Sequence, residues 1–163
     1  MATVDDHSGL KEVGHKDKID ALARTNLFSG LSHDELDKLS SIMKMHHFPK
    51  GYKIFTEGSR GEQMYIVISG KVNISRDWGI LNREMNIILS HNDFFGEMSI
   101  LDDHSRSANA TMLDEGILLS IDKKEFRDLV SRLPDFSIHI MSVLAGRLRK
   151  MNNDLAQLAL ETV

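Results

Sequence analysis

Residues Phe94–Thr111, FFGEMSILDDHSRSANAT, set one acid, one arginine and one serine around a short turn. A phosphodiester monoanion carried on a ribose with a free 2′-hydroxyl needs such a set. Glu97 would accept a hydrogen bond from the hydroxyl. Arg106 would offer a planar donor fork to the exocyclic phosphate oxygens, and Ser107 would add a hydroxyl donor. Gly96 allows close approach of the backbone to a ligand. The run Glu97–Leu101 can form a single helical turn whose free N–H groups would face the anion. The same residues also fit a surface turn with an ordinary Glu/Arg pair, and spacing alone does not separate the two.

The elements that would have to position this turn divide into helix, strands, helix. Residues 1–15 carry no periodicity and read as a tail. Lys16–Thr25 reads as a short helix with Ile19, Leu22 and Ala23 on one face. Ser32 with Glu35 three residues later forms a capping-box signature. It opens a helix whose stripe is Leu36, Leu39, Ile42 and Met43. From His46 to Ile121 the pattern changes to short apolar runs punctuated by glycines at 51, 58, 61, 70, 79, 96 and 116, as in a sandwich or barrel. Val72–Ser75 alternates like a half-buried strand. Asp77-Trp78-Gly79 suggests a hairpin tip. Asp122 then stands where a cap would open a helix holding Phe126, Leu129 and Val130. Pro134 sits near the start of a longer one. There Met141, Leu144, Leu148, Met151, Leu155 and Leu158 recur at intervals of three and four, an a/d seam. A helix from Asp135 to Leu160 would be about 39 Å long at 1.5 Å per residue. So long a stripe predicts a partner chain for its outer half, or else a fold back onto its own strands.

The stretch around Arg106 resembles the phosphate-binding cassette of the cyclic-nucleotide-binding domain family, which includes catabolite activator and kinase regulatory proteins. The family pattern F-G-E-[LM]-[AS]-L, a gap, then R-[AST]-A reads here as Phe95-Gly96-Glu97-Met98-Ser99-Ile100-Leu101, then Arg106-Ser107-Ala108. Leu27–Leu31, Ile54–Gly58 and Met64–Val72 resemble its entry segment and glycine-punctuated strands. The likeness runs from about Leu27 to about Asn153. It departs from the pattern at His91-Asn92, where a glycine is common, and at Ser105, where a proline is. The resemblance implies a mainly β fold with flanking helices: an antiparallel, jelly-roll-like β-roll with N-terminal helices and a long C-terminal helix. It divides the chain into an N-terminal tail and short helix (1–26), the nucleotide-binding roll (27–133) and a dimerisation or lid helix (134–163). It also implies a regulatory module that senses cyclic AMP or cyclic GMP through its last helix. Arg106, Ser107, Gly96, Met98 and Ser99 would hold the phosphate, Glu97 the ribose, and Met151 and Asn152 the base. Serine at 107, rather than a nearby threonine, leans the ligand towards cyclic AMP. The alternative is a nucleotide-independent dimerisation or interaction module that keeps the roll as scaffold.

Composition limits other functions. A hydrophobic share of 41% and a charged share of 27% are ordinary for a globular chain. Zero cysteines exclude thiolate catalysis, disulfides and cysteine-ligated clusters. The eight histidines lack ligand spacing, so no metal is expected. No nucleophile accompanies Glu97 or Asp102-Asp103, so no enzyme is expected either. No apolar run approaches ~18 residues, and no secretory signal is evident. A cytoplasmic homodimer with a possible effector protein is therefore the expectation. A net charge of −4 and only three residues after Leu160 predict no DNA reader in this chain.

Overall fold

The computed structural model describes residues 14–78 and 83–161. Its elements are α1 (His15–Arg24), a 3₁₀ turn (Asn26–Phe28), α2 (His33–Ile42), β1 (Lys44–Phe48), β2 (Lys53–Phe55), β3 (Gln63–Ser69), β4 (Val72–Trp78), β5 (Arg83–Leu89), β6 (Phe94–Phe95), α3 (Glu97–Asp102), β7 (Asn109–Met112), β8 (Gly116–Asp122), α4 (Lys123–Arg132) and α5 (Pro134–Glu161).

Two antiparallel four-stranded sheets face each other, with strand orders β1-β8-β3-β6 and β2-β7-β4-β5. Their inner faces meet through Tyr65, Val67, Phe95 and Leu118 on one side and Val72, Ala110 and Met112 on the other. The back of the first sheet is covered by helices. Met64, Ile66, Leu119 and Ile121 pack there against Leu22, Leu27, Phe28, Leu39, Phe126 and Phe136. β3 and β8 are thus buried on both faces, which is why Met64–Ile68 and Ile117–Leu119 read as unbroken apolar runs. This is the β-roll with flanking helices expected from the sequence.

Local chemistry sets the helix ends. The Ser32 hydroxyl accepts from the Glu35 amide (3.3 Å) while the Ser32 amide donates to the Glu35 carboxylate (2.7 Å). Pro134 is the first residue of α5, where its missing N–H leaves no hydrogen bond unmade. Phe136 in the first turn of α5 stacks on Phe28 at 5.8 Å and meets Phe126 edge-on at 6.4 Å, which docks the start of the helix on the core.

Five details differ from the sequence reading. His15 belongs to α1 rather than to the tail, and Ala21, not Ala23, shares the buried face with Ile19 and Leu22. On α2 the buried positions are Leu36, Leu39 and Ser40, followed by Met43, while Ile42 is exposed. Ser40 tolerates burial because its hydroxyl donates to the Asp37 carbonyl at 2.7 Å. Asp77 and Trp78 continue β4, paired with Glu84 and Arg83, so the hairpin tip falls outside the described residues. Asp122 precedes α4 without a side-chain cap. Its carboxylate accepts from Lys44 Nζ and Gln63 Nε2 instead, each at 2.7 Å.

Candidate functional site

The turn around Arg106 folds as a strand, a six-residue helix and a loop. Gly96 caps α3 with φ +82°, a left-handed conformation that glycine adopts without strain. Added atoms are excluded there too, since a Cβ on Gly96 would lie 2.8 Å from Arg106 Nη1. The first amides of α3 have no intrahelical acceptor.

Arg106 is 4% exposed. Its main chain is locked to the preceding loop: its amide donates to Ser59 O and its carbonyl accepts from the Gly58 amide, both at 2.8 Å. Nη1 donates to Gly96 O (2.9 Å) and Nη2 to Gln63 O (2.6 Å). The guanidinium lies 4.0 Å above the Phe55 ring. Burial pushes its pKa down, opposed by Tyr65 and Glu97, but guanidinium stays cationic in neutral water. Nε is buried and has no hydrogen-bond partner among the described residues. Gly61 closes over this group: its backbone passes so near Ser99 and Arg106 that a Cβ would meet Ser99 Cβ at 2.3 Å and Arg106 Cζ at 3.1 Å.

Glu97 is 5% exposed, yet its partner is not Arg106. Its Oε1 accepts from Nη1 of Arg147, on α5, at 2.8 Å. Arg147 Nη2 donates to Phe94 O at 3.0 Å, and its guanidinium lies 3.7 Å over the Phe94 ring. The surface-turn alternative fails on this geometry, because the two charged groups of the turn are buried and each is held separately.

Of the other expected residues, Ser99 is buried, while Met98 and Ser107 are exposed. Met151 and Asn152 lie about one turn beyond Arg147. Both are exposed, and the Asn152 side chain makes no hydrogen bond among the described residues. From Gly146 to Leu160 every side chain is exposed, including seam residues Leu148, Met151, Leu155 and Leu158 at 57–60%.

Sequence reasoning missed Arg147. It lies 50 residues from Glu97 and off the apolar seam, and nothing in the local pattern sets it apart from Arg149 and Lys150. It also passed over Gly61, whose close packing needs the third dimension to be seen. His46 is half-buried against Phe48 and Tyr65, bonded to Ser120 Oγ at 2.7 Å, and burial pulls its pKa down. No group of three or more His, Cys, Asp or Glu able to hold a metal occurs among the described residues. Nor is any helix among them long and apolar enough to cross a membrane.

Comparison with known proteins identifies the family of this fold. Residues 45–132 match the cyclic nucleotide-binding domain family. The chain is 36% identical over 137 residues to the CRP-like cAMP-activated global transcriptional regulator of Mycobacterium tuberculosis, covering 84% of this chain and 61% of that one. It is 34% identical over 117 residues to the cAMP-dependent protein kinase regulatory subunit of Debaryomyces hansenii, 71% of this chain and 25% of that protein. The crystal structure of Thermus thermophilus catabolite activator protein superposes with a TM-score of 0.73 at 34% identity, over 82% of this chain and 63% of that one. The chain therefore spans less than two thirds of the length of these relatives. Its β-roll, its cassette and the match over most of the roll make it a member of the cyclic nucleotide-binding domain family.

Proposed function

We propose that this chain is a regulatory module that binds a cyclic nucleotide at the cassette and signals through α5. The observation that carries this reading is a buried, aimed cation whose Nε–H has no acceptor among the described residues. Arg106 spends two of its nitrogens on the carbonyls of Gly96 and Gln63, and its Nε stays unpartnered at 4% exposure. A buried guanidinium with no carboxylate paired to it among the described residues is costly, and a phosphate monoanion supplies both a paired charge and the missing acceptor. Ser107 and the amides of Gly96, Met98 and Ser99 complete the phosphate set. Glu97 accepts from the ribose 2′-hydroxyl through the oxygen that Arg147 does not use.

Because Arg147 binds Glu97 and the Phe94 carbonyl from α5, a ligand on Glu97 bears directly on the helix. Coupling follows if the ligand prefers one placement of α5 over another; equal affinity would shift nothing. Met151 and Asn152, the next turn along, are in reach of a base that leaves the roll, and Asn152 has both donor and acceptor for an adenine edge. The exposed seam on α5 supports a homodimer, with an effector protein beyond it. Cyclic AMP is favoured over cyclic GMP by Ser107 and by the higher identity of the cyclic AMP relatives, 34–36% against 27–30% for cGMP-dependent protein kinases. The reading is of a cytoplasmic binding module, not an enzyme. The alternative, a scaffold that dimerises without nucleotide, draws on the same seam but leaves the Arg106 donor unexplained.

Thermal shift against cyclic AMP, cyclic GMP and linear AMP tests the proposal. A ligand at 100 times its Kd stabilises by about 2.7 kcal/mol. For a chain of this size that raises Tm by roughly 5–11 °C. No shift with either cyclic nucleotide would remove the reading.

A further inference from the structure

Lys123, the first residue of α4, touches both loops that bracket Arg106. Its amide donates to Glu62 O at 2.8 Å, and its Nζ pairs with the Asp103 carboxylate. Each contact ties down an element that carries a carbonyl aiming the guanidinium. Glu62 is next to Gln63, whose carbonyl takes Nη2, and Asp103 ends the helix that starts after Gly96, whose carbonyl takes Nη1. Asp103 holds a left-handed conformation (φ +62°), uncommon for a non-glycine residue though aspartate is among those that adopt it most readily. Arg127 adds a second grip, at 3.1 Å from Asp103 and 3.2 Å from Leu101 O, the last-turn carbonyl of α3. A six-residue helix has little stability of its own, so such external ties decide where it sits. The Lys123 side chain is 19% exposed and walls a cavity of about 370 Å³ between the two loops, together with Gly58, Gly61, Ser99 and Asp103. The Lys123 hydrogen bond, with Arg127, holds the Asp103 carboxyl below its usual range.

We propose that Lys123 is a positioning residue for the phosphate subsite: by spanning from Glu62 to Asp103 it fixes the α3 amides against the Arg106 guanidinium. The proposal rests on the cyclic nucleotide reading. It differs from a structural role in what it predicts. An ion pair this near the surface contributes little to stability, so loss of the tie should blur ligand geometry more than it lowers Tm.

The two diastereomeric phosphorothioates of cyclic AMP, Rp and Sp, replace one or the other exocyclic oxygen with sulfur and report that geometry. Their Kd values, measured by titration calorimetry, should differ about tenfold or more for the wild type, the scale of one charged hydrogen bond. Lys123→Met and Asp103→Asn should each narrow the ratio about threefold or more with Tm nearly unchanged, and Lys123→Arg should keep it. Asp103→Asn, at an exposed side chain, stands in if Lys123→Met fails to fold. A ratio unchanged in both variants overturns the proposal, as does a wild type that binds both diastereomers equally. A wild type that binds neither of them nor cyclic AMP overturns the nucleotide reading, and this inference with it.

Discussion

Replacing Gly61 by alanine puts a single methyl group where the cassette has no room. The added Cβ would lie 2.3 Å from Ser99 Cβ, 2.9 Å from Ser99 Oγ and 3.1 Å from Arg106 Cζ. Carbon atoms rest about 3.5–4.0 Å apart, so Ser99 must retreat by roughly 1.2 Å or more. Ser99 is buried in the first turn of α3, so that retreat moves the helix, not a flexible side-chain end. Overpacking of this kind costs about 1–3 kcal/mol. At roughly 2–4 °C per kcal/mol for a chain of this size, Tm should fall by about 2–12 °C. The same shift displaces the α3 amides from Arg106, so cyclic AMP affinity should drop about ten- to a hundredfold, the scale of one charged hydrogen bond. Ser99→Gly removes the two nearest atoms. The double variant Gly61→Ala/Ser99→Gly should therefore regain most of the affinity, short of the ~0.5–1 kcal/mol that glycine costs within a helix. Thermal denaturation and titration calorimetry on the three variants decide it. Wild-type Tm and affinity in Gly61→Ala, or a double variant no better than the single, would refute the packing argument.

Arg147→Met strips Glu97 of its partner. Breaking a fully buried pair costs about 3–5 kcal/mol. Arg147 is 42% exposed, and solvent screening reduces the expected loss to about 1–2 kcal/mol. Urea denaturation measures it, and undiminished stability would show that the tie between α5 and the cassette is inert. The Asp122 carboxyl is held below its ordinary range by hydrogen bonds from Lys44 and Gln63. Its contribution is thus complete above the unfolded value of about 3.9 and is lost as pH falls from there through the folded pKa. Asp122→Asn should flatten the acid limb of a stability–pH profile, and an unchanged acid limb would contradict the assignment. Leu155→Lys, in the exposed half of the seam, should convert a dimer to monomer in sedimentation equilibrium without altering the Arg106 site. A dimer that persists would place the interface elsewhere.

Features set by near neighbours were legible in the sequence. The Ser32–Glu35 box, Pro134 at the head of α5 and the turn after Gly96 each depend on residues within one helical turn, where residue type dictates geometry. The two buried charged residues Glu97 and Arg106 were named from a ten-residue stretch. Its surroundings were not. Arg147 arrives from α5, Gln63 contributes a carbonyl that any residue would provide, and Phe55 and Phe94 lie beneath the two guanidinium groups as ordinary core aromatics. Asp122 shows the converse. It occupies a capping position, but strand pairing brings Lys44 and Gln63 to it, and two charged or amide donors outcompete a helix amide. Ile42 and Ser40 exchanged places for a related reason. Helix geometry fixes which positions face inward, and Ser40 satisfies its hydroxyl within the helix, so hydrophobicity alone named the wrong residue.

Titration calorimetry of cyclic AMP against the wild-type chain and Arg106→Ala addresses the central claim most directly. The buried guanidinium with its unpartnered Nε should make Arg106 the largest single contributor to affinity. The wild type should bind one nucleotide per chain, and Arg106→Ala should bind it about ten- to a hundredfold more weakly, as expected for loss of a charged hydrogen bond worth roughly 1.5–3 kcal/mol. Equal affinities for the two proteins, or no binding of any cyclic nucleotide by the wild type, would contradict the assignment of this turn as a phosphate site.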